Sequence, residues 1–120
     1  MSLSSTPLAI PIGTEVVNDS SLGATPDTNV RNGPTTVFIA ICDNTQNIAD
    51  TWVMLYNNVN PTVGTTPPDF TFHILAGQLR VMILDTRGTL FSVGLSMAAA
   101  TESNGTSSPV SPFAIGIVCS

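Results

Sequence analysis

The sequence predicts an all-β protein: an antiparallel β-sandwich or jelly-roll-like barrel with an extended N-terminal arm. Apolar residues recur at every second position in several segments, which is the spacing of a strand with one buried face. No segment places apolar residues at helical spacing over three turns. Clusters of Gly, Pro, Asn and Asp separate the alternating segments. Six such segments joined by turns are typical of a two-sheet antiparallel domain.

The first 34 residues differ from the rest of the chain in composition. Ser, Thr, Pro, Gly, Asn and Asp dominate there, and a short apolar piece contains Leu8, Ile10 and Ile12. An Asn-Gly-Pro turn signal at residues 32–34 ends this region. We therefore expect residues 1–34 to form an arm that lies along its own domain as an edge strand, or across a neighbouring subunit. Leu8, Ile10 and Ile12 are candidates for an oligomer or capsid contact. Residues 35–120 then form the sandwich.

The first two strands of the sandwich are predicted at residues 35–42 and 51–56. Both are apolar on both faces, which is typical of strands that are covered on each side. The second strand would be internal or lie at a subunit contact. Its residues Trp52, Met54 and Tyr56 are candidates for that contact, and an ordinary core position is the alternative for each.

The loop that follows, residues 57–68, is rich in Asn and Pro. Prolines fix φ and withhold N–H donors, so helix is excluded and the backbone is restricted. We expect an ordered, rigid loop at one end of the sandwich that shapes a contact surface. The residues that define it are Asn57, Pro61, Gly64, Pro67 and Pro68.

Four further strands are predicted at residues 70–74, 79–85, 91–98 and 113–119. In the strand at 79–85 three aliphatic side chains share one face, and Arg80 and Met82 lie on the other. The face of Arg80 and Met82 is a second candidate for the subunit contact. The strand at 91–98 has the cleanest alternation, because Phe91, Val93 and Leu95 alternate with small residues.

The composition excludes several classes of partner. Charged residues make up 9% of the chain, there is no lysine, and the formal net charge is −5 with only three arginines. Phosphate binding needs clustered Lys or Arg, so no nucleic-acid partner is expected. No apolar run approaches the roughly 18 residues of a membrane span. A surface of hydroxyl and amide groups instead suits packing against neighbouring proteins.

The sequence contains little that could carry catalysis. His73 is the only histidine and is predicted to be a solvent-facing strand residue. Cys42 and Cys119 lack metal or redox spacing and are predicted to be buried free thiols, with a single disulfide as the alternative. No glycine-rich phosphate loop precedes a helix. We therefore expect no enzyme activity, no metal or other cofactor and no small-molecule substrate.

A series of short motifs resembles a known family. Leu55-Tyr56-Asn57 is followed by Pro-Thr-Val-Gly-Thr-Thr-Pro-Pro at 61–68, Leu-Ala-Gly at 75–77, and Gly88 with Phe91, Gly94 and Leu95. In order and spacing, these motifs are similar to a small β domain of tailed-bacteriophage virion proteins. The similarity covers residues 37–120 and not the arm. Thr66, Leu75 and Cys119 depart from the family's usual residues.

The resemblance implies a structural part of a virus particle. The expected role is a capsid decoration (cement) protein that binds the outer capsid surface as a symmetric oligomer, here a homotrimer, and stabilises the shell. Its partners would be copies of itself and the major capsid protein, and it would be made in the host cytoplasm. The alternative is a phage tail or fibre accessory protein, or a receptor-binding module that recognises glycans.

Overall fold

The computed structural model describes residues 15–85 and 87–120, and these form an all-β sandwich. Two antiparallel sheets pack face to face, and no helix occurs in the described residues. The predicted fold class is thus confirmed. The strands are β1 (Glu15–Asp19), β2 (Thr35–Asp43), β3 (Thr51–Asn57), β4 (Phe70–Ile74), β5 (Leu79–Ile83), β6 (Thr89–Phe91), β7 (Leu95–Ala100) and β8 (Ala114–Cys119).

The larger sheet has five strands in the order β1-β8-β2-β5, with β6 also paired to β2, and is called sheet A below. The smaller sheet, sheet B, has the order β4-β3-β7. All pairs are antiparallel. The β2–β8 register shifts between Val37 and Ile39, so Phe38 is the extra residue of a bulge. The bulge lets Val37 and Ala40 both point into the core.

The main core lies between the two sheets. It is built from side chains of both inner faces, with Phe91 and Phe113 among the largest buried ones. Leu22, which lies after β1, belongs to this core and is 3% exposed. Residues 15–34 were expected to belong to an arm that lies along its own domain as an edge strand or across a neighbouring subunit, and β1 corresponds to the first of these alternatives. The structure places them within the sandwich, with β1 as an edge strand of sheet A and Asp27 bridged to Met97 beside β7.

A second, smaller core covers the outer face of sheet B. Met54, Tyr56, Ala98 and Ala100 are fully buried there, and Val63 of the loop after β3 packs against them. Within this loop the backbone N–H groups of Thr65 and Thr66 donate to the Thr62 carbonyl oxygen, and Thr62 N–H donates to Thr66 Oγ1. The position of the loop differs from the expected one, because the loop lies over a sheet face as well as at the sandwich end. The loop lies over the sheet because Val63 is packed on Met54 and Tyr56, two alternate residues of β3 that would otherwise face water.

The predicted strand at 91–98 is two strands in two different sheets. β6 ends at Phe91 in sheet A, and β7 begins at Leu95 in sheet B. Between them the Asn57 side-chain oxygen accepts hydrogen bonds from the backbone N–H groups of Val93 and Gly94, at 2.8 and 3.4 Å. The alternation therefore continues through a crossing between sheets, and Val93 is exposed rather than buried.

The two faces of β5 are reversed relative to expectation. Met82 packs against the main core, whereas the aliphatic side chains of Leu79, Val81 and Ile83 are exposed. Arg80 shares the inner side with Met82, but β5 is an edge strand. Its guanidinium Nη1 therefore reaches past the core and donates a hydrogen bond to the carbonyl oxygen of His73 in sheet B, at 3.0 Å.

Candidate functional site

The outer face of sheet A carries apolar side chains across four strands. The strand register aligns Val16, Val118, Ile39 and Ile83 in one row. The next row contains Ile41 beside Val81, with Gly116 on the other side of Ile41. The exposed fractions are 60% for Val81 and 67% for Ile83. This set is called the apolar outer face and consists of Val16, Ile39, Ile41, Leu79, Val81, Ile83 and Val118.

Two carboxylates, Asp19 and Asp43, border the apolar outer face at one end. Asp43 pairs with Leu79 at one end of it, and its carboxylate is held by Thr45 through hydrogen bonds that lower the pKa of Asp43. An open groove of about 280 Å³ runs over Ile41 and Leu79 beside Gly116. Gly116 supplies no side chain between β1 and β2, and the Asn18 side chain lies over it at the groove wall. The sheet thus presents exposed apolar side chains beside a groove whose rim is polar and acidic.

A second apolar feature lies at one end of the sandwich. Ile48 is 101% exposed and Val110 is 94% exposed, so neither side chain makes a substantial contact within the described residues. Their loops border a cleft of about 190 Å³. Buried Asn47 joins the two loops, because its side chain accepts a hydrogen bond from Ser111 N at 2.8 Å and donates one to Pro112 O at 3.5 Å. The two tips are therefore held in a fixed arrangement.

The base of the Ile48 loop is fixed by Asn44, which is fully buried. The Asn44 Nδ2 group donates to three backbone carbonyl oxygens at 3.1–3.2 Å, those of Ala49, Ile74 and Leu75. Its Oδ1 accepts a hydrogen bond from the Thr51 hydroxyl. Three chain segments are thereby tied together where the chain passes from sheet A to sheet B. Loop tips on such a support lose little further conformational entropy on binding.

The only histidine lies on the outer side of sheet B. The rings of His73 and Trp52 stack with centroids 4.3 Å apart, and His73 Nε2 lies 2.8 Å from Asp50 Oδ2. A hydrogen bond from Ala76 N, followed by the one from His73, holds the pKa of Asp50 below its usual range. The imidazole is exposed, as predicted, and its contacts orient it against Trp52.

The two cysteines are free and buried. Burial raises the pKa of the Cys42 thiol to about 12, partly opposed by the charge of Arg80, and burial also raises the pKa of Cys119. Because the thiolate is the nucleophile, such thiols are unreactive near neutral pH. The strand register puts them far apart along the β2–β8 pair, since Cys42 pairs with Ile115 and Cys119 with Val37. The predicted free thiols are thus observed, and the alternative disulfide is not.

The predicted subunit-contact residues are placed differently from one another. Met54 and Tyr56 are fully buried in the second core, so the alternative of an ordinary core position describes both. Trp52 is partly buried against His73. Arg80 is exposed at the sandwich edge, and Met82 packs on the main core. The arm residues Leu8, Ile10 and Ile12 lie outside the described residues.

The loop residues have mainly structural contacts. Asn57 holds the β6–β7 crossing, and its backbone N–H donates to Asp69 Oδ2 at 2.6 Å. Pro61 is buried, whereas Pro67 is exposed and Pro68 partly buried. Gly64 has a φ of 88°. Sequence reasoning missed Ile48 and Val110 as surface residues; the available signal was a single large apolar residue within an otherwise polar loop in each case.

Within residues 15–85 and 87–120, no group of three or more His, Cys, Asp or Glu side chains could hold a metal ion. The described part of the chain also has no helix long and apolar enough to cross a membrane. Comparisons with protein-family models, with curated proteins and with solved structures give no match.

Proposed function

We propose that the chain is a virion structural protein that decorates the outer capsid surface of a tailed bacteriophage and stabilises the shell. In this role it acts as a symmetric oligomer, a homotrimer, whose partners are its own copies and the major capsid protein. The capsid assignment rests on the motif resemblance at residues 55–57, 61–68, 75–77 and 88–95. The structural features, chiefly the exposed side chains of Ile48 and Val110, support docking to a protein surface.

The observation that carries the docking role is the pair of exposed tips, Ile48 and Val110. Burying one such side chain contributes about 1.5–3 kcal/mol. Because Asn47 and Asn44 already fix the two loops, little of this free energy is lost in ordering them. A contact of two side chains is weak in one copy. Repetition around a symmetric particle multiplies it, which is how a decoration protein binds stably.

The low charge of the chain supports the same role. Only 9% of residues are charged, and none is lysine. Charge is depleted in the centres of protein interfaces, where desolvating a charged group is costly. The acidic balance favours the outside of a particle over the genome side, because the packaged nucleic acid repels negative charge.

Localisation on particles tests the proposal. Mass spectrometry of purified virions should find the chain at a copy number in fixed ratio to the major shell protein, and particles lacking it should lose heat resistance. The paired change Ile48→Asp and Val110→Asp should abolish rebinding to such particles, whereas Thr71→Asp, at an exposed site on β4, should not. A chain found only on tails, or particles with unchanged heat resistance, would overturn the cement role.

The alternative role, a tail or fibre module that recognises glycans, is favoured by one observation. Trp52 is partly exposed and is held flat against His73, and such rings stack on sugars. A glycan-array signal that is lost on Trp52→Ala, or on changes within residues 57–66, would support it. Absence of any glycan signal in the unmodified chain would remove it.

A further inference from the structure

We propose that an extended segment of a partner protein pairs with the open edge of β5, the edge that faces away from β2, as an additional antiparallel strand. A Lys or Arg side chain of this segment lies in the groove beside Asp43. The surface is separate from the Ile48 and Val110 tips, and the proposal stands whether or not the chain decorates a capsid. The partner is defined by its chemistry, a strand that is both apolar and basic.

The backbone of β5 offers hydrogen-bonding groups at its open edge. Among the described residues, β2 is the only strand that pairs with β5. At one end of this pair Leu84 N–H donates to the Phe38 carbonyl oxygen, so residue 84 faces β2. Because backbone groups alternate in direction along an antiparallel strand, every even-numbered residue of β5 also faces β2. The N–H and C=O groups of Leu79, Val81 and Ile83 therefore point to the open edge, where an added strand can pair with them.

The side chains of β5 also suit an added strand. Leu79, Val81 and Ile83 carry aliphatic side chains on the outer face, and each is more than half exposed. β5 contains no proline and its register with β2 has no bulge, two devices that block strand addition at natural sheet edges. Its one charged residue, Arg80, directs its guanidinium to the His73 carbonyl oxygen in sheet B and so leaves the outer face free. Aliphatic residues of the partner therefore fit opposite Val81 and Ile83.

The groove at the end of β5 favours a cation. Leu79 pairs with Asp43 of β2, and both residues line the groove of about 280 Å³. Hydrogen bonds from Thr45 hold the pKa of Asp43 below its usual range, and no Lys or Arg of the described residues forms an ion pair with it. An added strand lies two strand spacings, about 10 Å, from β2. An Arg or Lys opposite Leu79 can lay its methylene stem on Leu79 and bring its charge to Asp43.

The sequence that the edge selects is absent from the chain itself. In an antiparallel partner the residue opposite Ile83 comes first, so the expected pattern is aliphatic-x-aliphatic-x-Arg or Lys. The chain has no lysine, and the residue two positions before each of its arginines is polar. Pairing of β5 with β5 of a second copy about Val81 would place Ile83 opposite Leu79 and bring no cation to Asp43. With a net charge of −5, the chain is complementary to a basic partner protein rather than to itself.

Fluorescence anisotropy with the full-length chain tests strand addition. The probe is a fluorescein-labelled peptide, Ser-Ile-Thr-Val-Thr-Arg-Ser, which should bind saturably with a Kd below about 1 mM. N-methylation of its valine removes an N–H that faces β5, and should weaken binding at least about tenfold. N-methylation of the threonine after the valine is the matched control, because that N–H faces away from β5. Equal losses from the two peptides, or no saturable binding of the unmodified peptide, would overturn the proposal.

A double-mutant cycle tests the contact with Asp43. Replacing the peptide arginine by citrulline keeps its shape and removes its charge, and Asp43→Asn removes the opposing charge. Each change should weaken binding about threefold to fivefold, and the two together should weaken it no more than either alone. Glu102→Gln, which removes an exposed carboxylate from the loop after β7, should leave binding unchanged. Fully additive losses would contradict the contact, and the citrulline peptide tests it even if Asp43→Asn impairs folding.

Sedimentation equilibrium distinguishes a foreign partner from a second copy. The mass of the unmodified chain should not fall when the peptide is added at saturating concentration, because the open edge is not used for self-association. An assembly of the chain that dissociates as the peptide binds would show that a second copy occupies β5, and would overturn the assignment to a different protein. Loss of the capsid role would change neither measurement.

Discussion

The Thr51 hydroxyl donates a hydrogen bond to Asn44 Oδ1 at 3.0 Å, and both residues are buried. The same Asn44 side chain donates to the carbonyl oxygen of Ile74 on β4. One amide thus connects the end of β2, the start of β3 and the end of β4. It satisfies buried polar groups at the point where the chain changes sheets, which no apolar side chain of similar size could do.

Replacement of Asn44 should be more destabilising than replacement of Thr51. Asn44→Ala leaves the Ile74 carbonyl and the Thr51 hydroxyl without partners, and we expect a loss of about 2–4 kcal/mol. Thr51→Val removes one hydrogen bond while keeping the shape, and should cost about 1 kcal/mol. Urea unfolding of both variants measures the difference. Equal losses would show that Asn44 does not connect the three strands energetically.

The stability of the fold should fall as the pH rises towards 7. Burial, followed by a hydrogen bond and charge repulsion from Asp19, raises the pKa of Asp27 from 3.8 to about 7. Between these values the folded chain holds a proton that the unfolded chain releases, so raising the pH disfavours the folded state. The contribution is complete below about 3.8 and lost above about 7. Asp27→Asn should remove this part of the dependence of Tm on pH.

Comparison of Tm between the unmodified chain and Asp27→Asn at each pH isolates the effect, because the other carboxyl groups are common to both. The difference in Tm should grow in favour of the variant as the pH rises from about 4 to 7. A difference that stays constant across this range would mean that Asp27 titrates normally in the folded chain.

The two thiols should be inert in the folded chain and reactive in the unfolded chain. Burial raises the pKa of Cys42 to about 12 and also raises that of Cys119, and both side chains are inaccessible. A colorimetric thiol reagent at mildly alkaline pH should titrate neither cysteine in buffer and both in concentrated guanidinium chloride. Rapid reaction of a thiol in buffer would indicate local opening of β2 or β8.

Two glycines with similar backbone angles should differ in their tolerance of alanine. Gly77 has φ +74° with no atom within 4 Å of an added Cβ, so Gly77→Ala should cost only the left-handed strain, about 1–2 kcal/mol. Gly88 has φ +81°, and its added Cβ would overlap Thr36 Cγ2 and lie 2.8 Å from the Phe38 ring. Gly88→Ala should cost about 1–3 kcal/mol more. Equal Tm losses would show that β2 adjusts freely.

Strand positions could be predicted from the sequence because alternation and turn residues are local signals. The positions of β4 and β8 followed directly from them. The facing of β5 could not be predicted, because Val81 and Met82 are both apolar and only the neighbouring sheet decides which one is covered. The charge of Arg80 also favoured the wrong facing of β5. Because β5 is an edge strand, the Arg80 side chain can start on the inner face and still place its guanidinium outside the core, where it donates to the His73 carbonyl oxygen.

The break between β6 and β7 and the exposed tips depend on distant residues. Asn57 holds the crossing between β6 and β7 at Val93 from 36 positions away, which no local pattern indicates. Ile48 and Val110 are exposed because the Asn47 hydrogen bonds fix their loops at the sandwich end. The role of each residue is therefore decided by tertiary contacts between segments far apart in the chain.

The pairing of β8 with both β1 and β2 has a consequence for how the protein folds. Cys119 lies opposite Glu15 and Val37, so the centre of sheet A is incomplete until the last strand has been synthesised. Contacts of such large sequence separation require costly loop closure before they stabilise anything, and folding of such domains takes milliseconds to seconds. During translation β2 can pair with β5 and β6, but its other edge stays open until β8 arrives, and this is the interval in which the nascent chain depends most on protection from aggregation.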